Sequence, residues 1–173
     1  MPPASPPLRG WYAAGVGEKA YLWLKAIHVL GAILFVGNLL VTAVWKMLAD
    51  RTRNGRVIAF AQRLVSVTDV AFTGVGAVIV LLTGLLMIIP YGIELWNIPW
   101  LMWGLGLFVV SALLWVMVLV PVQIKQAQLA RGFSEGGAIS DDYWRLARLW
   151  AIVGTVATLL PVVNVFLMVY KPL

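Results

Sequence analysis

Six side chains in this sequence have a type and a position suited to holding a cofactor, and one of them is the only histidine. His28 lies within "YLWLKAIHVLGAILFVGNLL", Tyr21 to Leu40, a stretch otherwise made for hydrocarbon. A neutral imidazole is a good iron ligand, and transmembrane bundles can hold a b-type haem between helices with the ligands projecting inward. Met87, Met102 and Met168 are candidate second ligands, and Asn164 is an amide at comparable depth. Lys25, one turn from His28 on nearly the same face, could meet a haem propionate while its stem snorkels. Copper held by His28 and a thioether is a second chemistry that these soft ligands suit. The plain alternative gives His28 a hydrogen bond across helices, to Asn164 or Thr83. The methionines are then core filler and Lys25 an interfacial anchor.

Other chemistries lack their residues. The chain has no cysteine, which removes disulfides, thiolate ligands and covalent c-type haem attachment. No catalytic carboxylate pair and no nucleotide-binding loop stand out. Enzymatic work on a lipid or quinone needs few charged groups and stays open, with no substrate named.

The elements that must position these residues are membrane spans. Of 173 residues 62% are hydrophobic and only 12% charged, against about half and a quarter in soluble domains. A net charge of +6 would suggest nucleic acid in a soluble chain. Here the basic residues cluster at the ends of apolar runs, which argues for a lipid bilayer as partner and against nucleic acid.

A spanning helix needs about 20 mostly apolar residues, and four segments qualify, near residues 21–45, 64–90, 100–122 and 149–170. The expected fold is all-α, an integral membrane four-helix bundle. The opening "MPPASPPLRG" does not read as a signal peptide, so residues 1–20 are expected to form a flexible extracytoplasmic tail and 21–173 a single domain. "ADRTRNGR" holds an Asn-Gly turn, "YGIELWNIP" is a short link, and Ser140 is the expected N-cap of the fourth helix, followed by Asp141 and Asp142.

Orientation follows from Lys and Arg placement. The first connection carries Lys46, Arg51, Arg53, Arg56 and Arg63, and the third Lys125, Arg131, Arg145 and Arg148. The opposite side has Arg9, Lys19, Lys25 and Lys171. Both termini are therefore expected outside the cytoplasm, N-out and C-out, in a bacterial inner membrane. Trp23, Trp96, Trp100, Trp103 and Tyr170 would form the outer aromatic belt.

Polar residues inside spans are costly, so their spacing is informative. His28, Gly31, Phe35, Asn38 and Thr42 alternate at three and four residues and share one face of the first helix. Asp69, Thr73, Gly76, Val80, Thr83, Met87 and Pro90 do so on the second, and Gly154, Ala157, Pro161, Asn164 and Met168 on the fourth. Small residues permit close approach, and the polar groups find partners across the interface. At about 1.5 Å per residue, His28 lies about 10 Å below the outer boundary, level with the methionines and Asn164. Asp69 falls at the other end, where it is expected to reach the interface or pair with an arginine. Pro161 frees the carbonyl of Ala157 and invites a kink, which keeps a transport path in view.

The quoted first span, a basic turn, and three further spans ending in "YWRLARLW" and "VYKP" resemble an uncharacterised family of bacterial integral membrane proteins. More loosely, the aromatic-Leu-Lys-Ala-Ile-His opening is similar to the first helix of HemJ-type protoporphyrinogen oxidases and to CopD-type copper-resistance membrane proteins. The HemJ resemblance implies haem b on the first-helix histidine, His28. That group also uses a lysine near the start of its third helix. Here "WNIPWLMWGLGL" has none and Met102 lies closest, which implies methionine as second ligand or an open position. The expected function is haem-b binding with an electron-transfer or redox role. The alternative is a non-catalytic subunit docked on other subunits of a respiratory or photosynthetic complex.

Overall fold

The computed structural model describes residues 17–88 and 97–171, and all its regular elements are helices. They are α1 (Glu18–Arg51), α2 (Gly55–Ile88), α3 (Pro99–Phe133) and α4 (Asp141–Tyr170), each long and apolar enough to cross a membrane. Their order runs up and down, so two connections lie at the end carrying most of the arginines, here the basic end. The start of α1 and the close of α4 mark the terminal end, where Lys171 stands over the ring of Trp100 at 5.5 Å. Leu30, Ile33, Val41, Leu82 and Phe166 are exposed on the outer faces, as lipid-facing residues are.

Every helix exceeds the stretch expected from hydropathy. The 34 residues of α1 reach about 51 Å, against a hydrocarbon core of about 30 Å. The first connection shrinks to Thr52–Asn54, and the expected tail gives residues 18–20 to α1. Asn54 is not half of an Asn-Gly turn. Its side chain caps α2, accepting from Arg56 N at 3.0 Å and Val57 N at 3.4 Å, and Gly55 is already helical. The extensions persist because they bury a core of their own. Ile58, Ala130, Phe133 and Tyr143 are buried together, with Phe133 edge-on to Tyr143 at 5.3 Å. Ser140 caps α4 as its position suggested, accepting from Tyr143 N at 3.3 Å. Pro90, Trp96 and most of the second connection lie outside the described residues.

The expected stripes are the seams. A Cβ on Gly31 would stand 2.6 Å from Ile79 Cγ2, and one on Gly76 would stand 2.9 Å from Phe35 N, so α1 and α2 cross there nearly backbone to backbone. Towards the terminal end the molecule resolves into two pairs, α1 with α2 and α3 with α4. Among the described residues, no Cα of 75–88 comes within 8 Å of α3 or α4. At the basic end α2 and α3 close on each other.

Ser111 on α3 donates to the carbonyl of Ala157 on α4 at 2.8 Å. That carbonyl is the one Pro161 deprives of a helical partner. Two π-helical turns complete the scaffold, Asp69–Gly74 in α2 and Trp115–Leu119 in α3. They touch: a Cβ on Gly74 would lie 3.7 Å from Trp115 Cη2. Such turns widen a helix, free carbonyls and recur at functional sites.

Candidate functional site

The side chains singled out from the sequence fall into two clusters, one on each helix pair. On the first pair, His28 Nδ1 lies 2.9 Å from Thr83 Oγ1. The Thr83 hydroxyl donates to the carbonyl of Ile79, one turn back. With its single proton committed there, the threonine oxygen accepts from the ring. Nδ1 therefore carries the hydrogen, and Nε2 keeps its lone pair. Gly84 faces the same ring, and a Cβ there would stand 3.5 Å from His28 Cε1. Thr83, one of the two cross-helix partners expected for His28, is the one used; Lys25, one turn away, is exposed.

On the second pair, Asn164 and Met168 lie against Gly104. A Cβ on that glycine would stand 2.6 Å from Asn164 Oδ1 and 3.0 Å from Met168 Cε. Asn164 Oδ1 is buried and accepts no hydrogen bond. Met102 and Met87 are half-buried, on α3 and α2 respectively. Among the described residues no three of His, Cys, Asp and Glu gather as a metal centre would need.

A denser polar site lies towards the basic end, where the two π-helical turns meet. Asp69, 5% exposed, is neither at the interface nor paired with an arginine. Its Oδ1 accepts from Asn38 Nδ2 at 3.1 Å and from Thr73 Oγ1 at 3.4 Å, and its Oδ2 accepts from Gln123 Nε2 at 2.6 Å. Thr42 donates to Asn38 Oδ1 at 3.3 Å, and Asn38 Nδ2 also reaches Thr73 Oγ1 at 2.9 Å. The expectation failed because α3 presents Gln123 at this level, and an amide inside the bundle reaches the carboxylate while Arg63 points outward. Among the described residues no basic nitrogen lies within 4 Å of Asp69.

One turn beyond Thr42, Lys46 is 1% exposed, although its position reads as a topology signal. It donates to Asp50 Oδ1 and Oδ2 at 3.0 and 2.7 Å and to Tyr143 Oη at 2.7 Å. Tyr143 in turn donates to Asp50 Oδ1 at 2.7 Å. The triad is charge-balanced, and the three ammonium protons are all used. It ties α1 to α4.

Both polar groups line one cavity of about 650 Å³ between α1 and α4, floored by Asp69, Gln123 and Trp115. Trp144 and Trp150 lie along it, and Arg53 stacks on Trp144 at 4.4 Å. Leu40 and Leu159, on opposite walls, are 49% and 55% exposed, so the groove opens sideways towards lipid as well as at the basic end.

Residues 22–172 match the family described as "Predicted integral membrane protein (DUF2269)", and the chain belongs to that family. No curated protein and no solved structure matches it.

Proposed function

We propose that this member of the DUF2269 family of integral membrane proteins binds haem b, with His28 as axial ligand, and serves electron transfer or redox sensing. The observation that carries the reading is the hydrogen bond from His28 Nδ1 to Thr83 Oγ1, which leaves Nε2 free to ligate. Metal-ligating histidines commonly donate their other ring nitrogen to such a partner, which fixes tautomer and orientation. The residues present fit the group on that count. When bound, haem would supply one-electron redox chemistry.

The chain's own part is to hold and tune. Thr83 keeps the imidazole oriented, and Gly84 packs beside its Cε1 edge. Met87, Met102 and Met168 are the candidates for a second ligand, of which one at most serves. A methionine there raises the potential relative to a second histidine. Lys25 suits a propionate at the membrane boundary, and the unpartnered Asn164 oxygen is an acceptor in reserve. The arginines of the basic end favour a cytoplasmic position for it, in a bacterial inner membrane with both termini outside.

Purified wild type and His28→Ala, expressed with ample haem, test the assignment. The wild type should show a Soret band. The variant should insert normally and lose the pigment, because the span stays apolar without the imidazole. Pigment retained by His28→Ala would end the ligand assignment.

A second reading, an accessory subunit of a larger complex, draws on the terminal half of α2, which α3 and α4 leave uncovered. An apolar cleft of about 510 Å³ there is walled by Val70, Val78, Phe108 and Ala112. Extraction in mild detergent separates the readings, since migration as a lone small protein counts against a complex.

A further inference from the structure

We propose that the notch between α2 and α3 at the basic end holds the head group of an anionic phospholipid, with Arg63 and Arg131 on either side of its phosphodiester. The proposal stands apart from the haem reading. Arg63 lies twenty residues along α2 from Thr83, the partner of His28, a rise of about 30 Å.

Two guanidinium groups set the charge of the ligand. The notch measures about 170 Å³ and is lined by Gln62, Arg63 and Ser66 of α2 and by Ala127, Arg131 and Ser134 at the close of α3. Neither serine has a proton to spare, since Ser66 donates to the carbonyl of Gln62 at 3.1 Å and Ser134 to that of Arg131 at 2.9 Å. Gln62 is fully buried and presents no accessible polar atom. Arg63 and Arg131 are exposed, and among the described residues no carboxylate lies within 4 Å of either. The open groups are therefore two guanidinium forks, whose planar geometry matches a phosphate. No carboxylate lines the notch to receive the ammonium of a zwitterionic head group. A head group of net negative charge fits best.

Depth sets the source of that phosphate. Every exposed residue of α2 from Val67 to Leu86 is apolar. That run rises about 28 Å, close to the hydrocarbon thickness of about 30 Å. On α3 the exposed residues from Trp103 to Ile124 are likewise apolar, and the first charge beyond them is Lys125. The hydrocarbon thus ends at Val67, which lines the notch and is exposed. Arg63 stands one turn above it, at the level of the lipid phosphates, and Arg131 reaches the same notch from α3. Pockets that enclose whole small molecules start at about 300 Å³, so this smaller notch takes a head group and leaves the acyl chains outside, along Val67 and Val70. Basic pockets between spanning helices are a known form of phospholipid site.

The full chain, delipidated in mild detergent and mixed with equal amounts of dioleoylphosphatidylglycerol and dioleoylphosphatidylcholine, tests this by native mass spectrometry. Wild type should retain the phosphatidylglycerol at least about tenfold more than the phosphatidylcholine, the factor expected for a hydrogen bond to a charged group. The double variant Arg63→Gln with Arg131→Gln should lose that preference. Arg51→Gln with Arg148→Gln removes the same charge from the same end, but on α1 and α4, and should bind as wild type does. His28→Ala should also bind as wild type does, which separates this site from the haem reading. Equal retention of the two lipids by wild type overturns the proposal, and so does a preference that survives in a folded Arg63→Gln with Arg131→Gln. An equal loss in Arg51→Gln with Arg148→Gln would mark attraction to the basic end at large and overturn it too. Displacement of the phosphatidylglycerol by excess inorganic phosphate would mark a site for the free anion, and would likewise end the lipid assignment.

Discussion

The hydroxyl of Ser111 stands 2.8 Å from the carbonyl of Ala157, on a different helix and one turn before Pro161. Proline cannot donate to the carbonyl four residues earlier, and in hydrocarbon no water can do so instead. A single side chain on α3 thus repairs α4 and joins the two helices.

This repair makes the two positions interdependent. Ser111→Ala should destabilise the protein by about 0.6 to 1.7 kcal/mol. In a Pro161→Ala background, where the alanine restores the missing N–H, the same change should cost close to nothing. A double-mutant cycle by denaturant unfolding in micelles reads the coupling, and additive effects would show that Ser111 does not serve that carbonyl.

The Lys46–Asp50–Tyr143 triad should behave as a buried network rather than a surface ion pair. Asp50→Ala leaves a buried ammonium without its counter-ion, and should cost on the order of 3 kcal/mol. Tyr143→Phe keeps the charges paired and should cost about 1 to 2 kcal/mol. The exposed Arg145–Asp142 pair, at 3.0 Å, offers the contrast. Asp142→Ala should change unfolding very little, and a loss rivalling that of Asp50→Ala would contradict the distinction.

Much of this architecture is legible in the sequence where polar or small residues interrupt an apolar helix at alternating steps of three and four. Gly31, Phe35, Asn38 and Thr42 on α1, and Asp69, Thr73, Gly76 and Thr83 on α2, are all buried where that spacing puts them. The seam of α3 is harder to see. Leu101, Gly104 and Phe108 look like any other apolar residues, and the π-helical turn at Trp115–Leu119 shifts the register before Gln123 and Gln126. Lys46 and Tyr143 are hidden for a different reason. Hydropathy ends the spans near them, whereas the helices continue and pack on one another, so residues that resemble a boundary lie inside. Asp69 is visible as an intramembrane carboxylate, but its partners are long-range and no local pattern names them.

If Thr83 fixes the imidazole for ligation, Thr83→Val should lower haem affinity about 10- to 100-fold while the fold persists. Titration of apoprotein with haemin measures this. An unchanged affinity would mean that the hydrogen bond at His28 serves packing alone.

The absence of cysteine makes topology directly measurable. Single substitutions Gly17→Cys at the terminal end and Glu135→Cys in the third connection both fall at exposed positions. A membrane-impermeant maleimide added to intact cells should label the first and spare the second until lysis. The reverse pattern would invert the orientation proposed from the arginines.

Whether His28 holds a haem is decided by a pyridine haemochrome assay on the purified full chain, expressed with ample haem and shown to be monodisperse. Wild type should carry haem b in amounts approaching equimolar with protein, and His28→Ala should carry none. Well-folded wild type free of haem after such expression would rule the cofactor out.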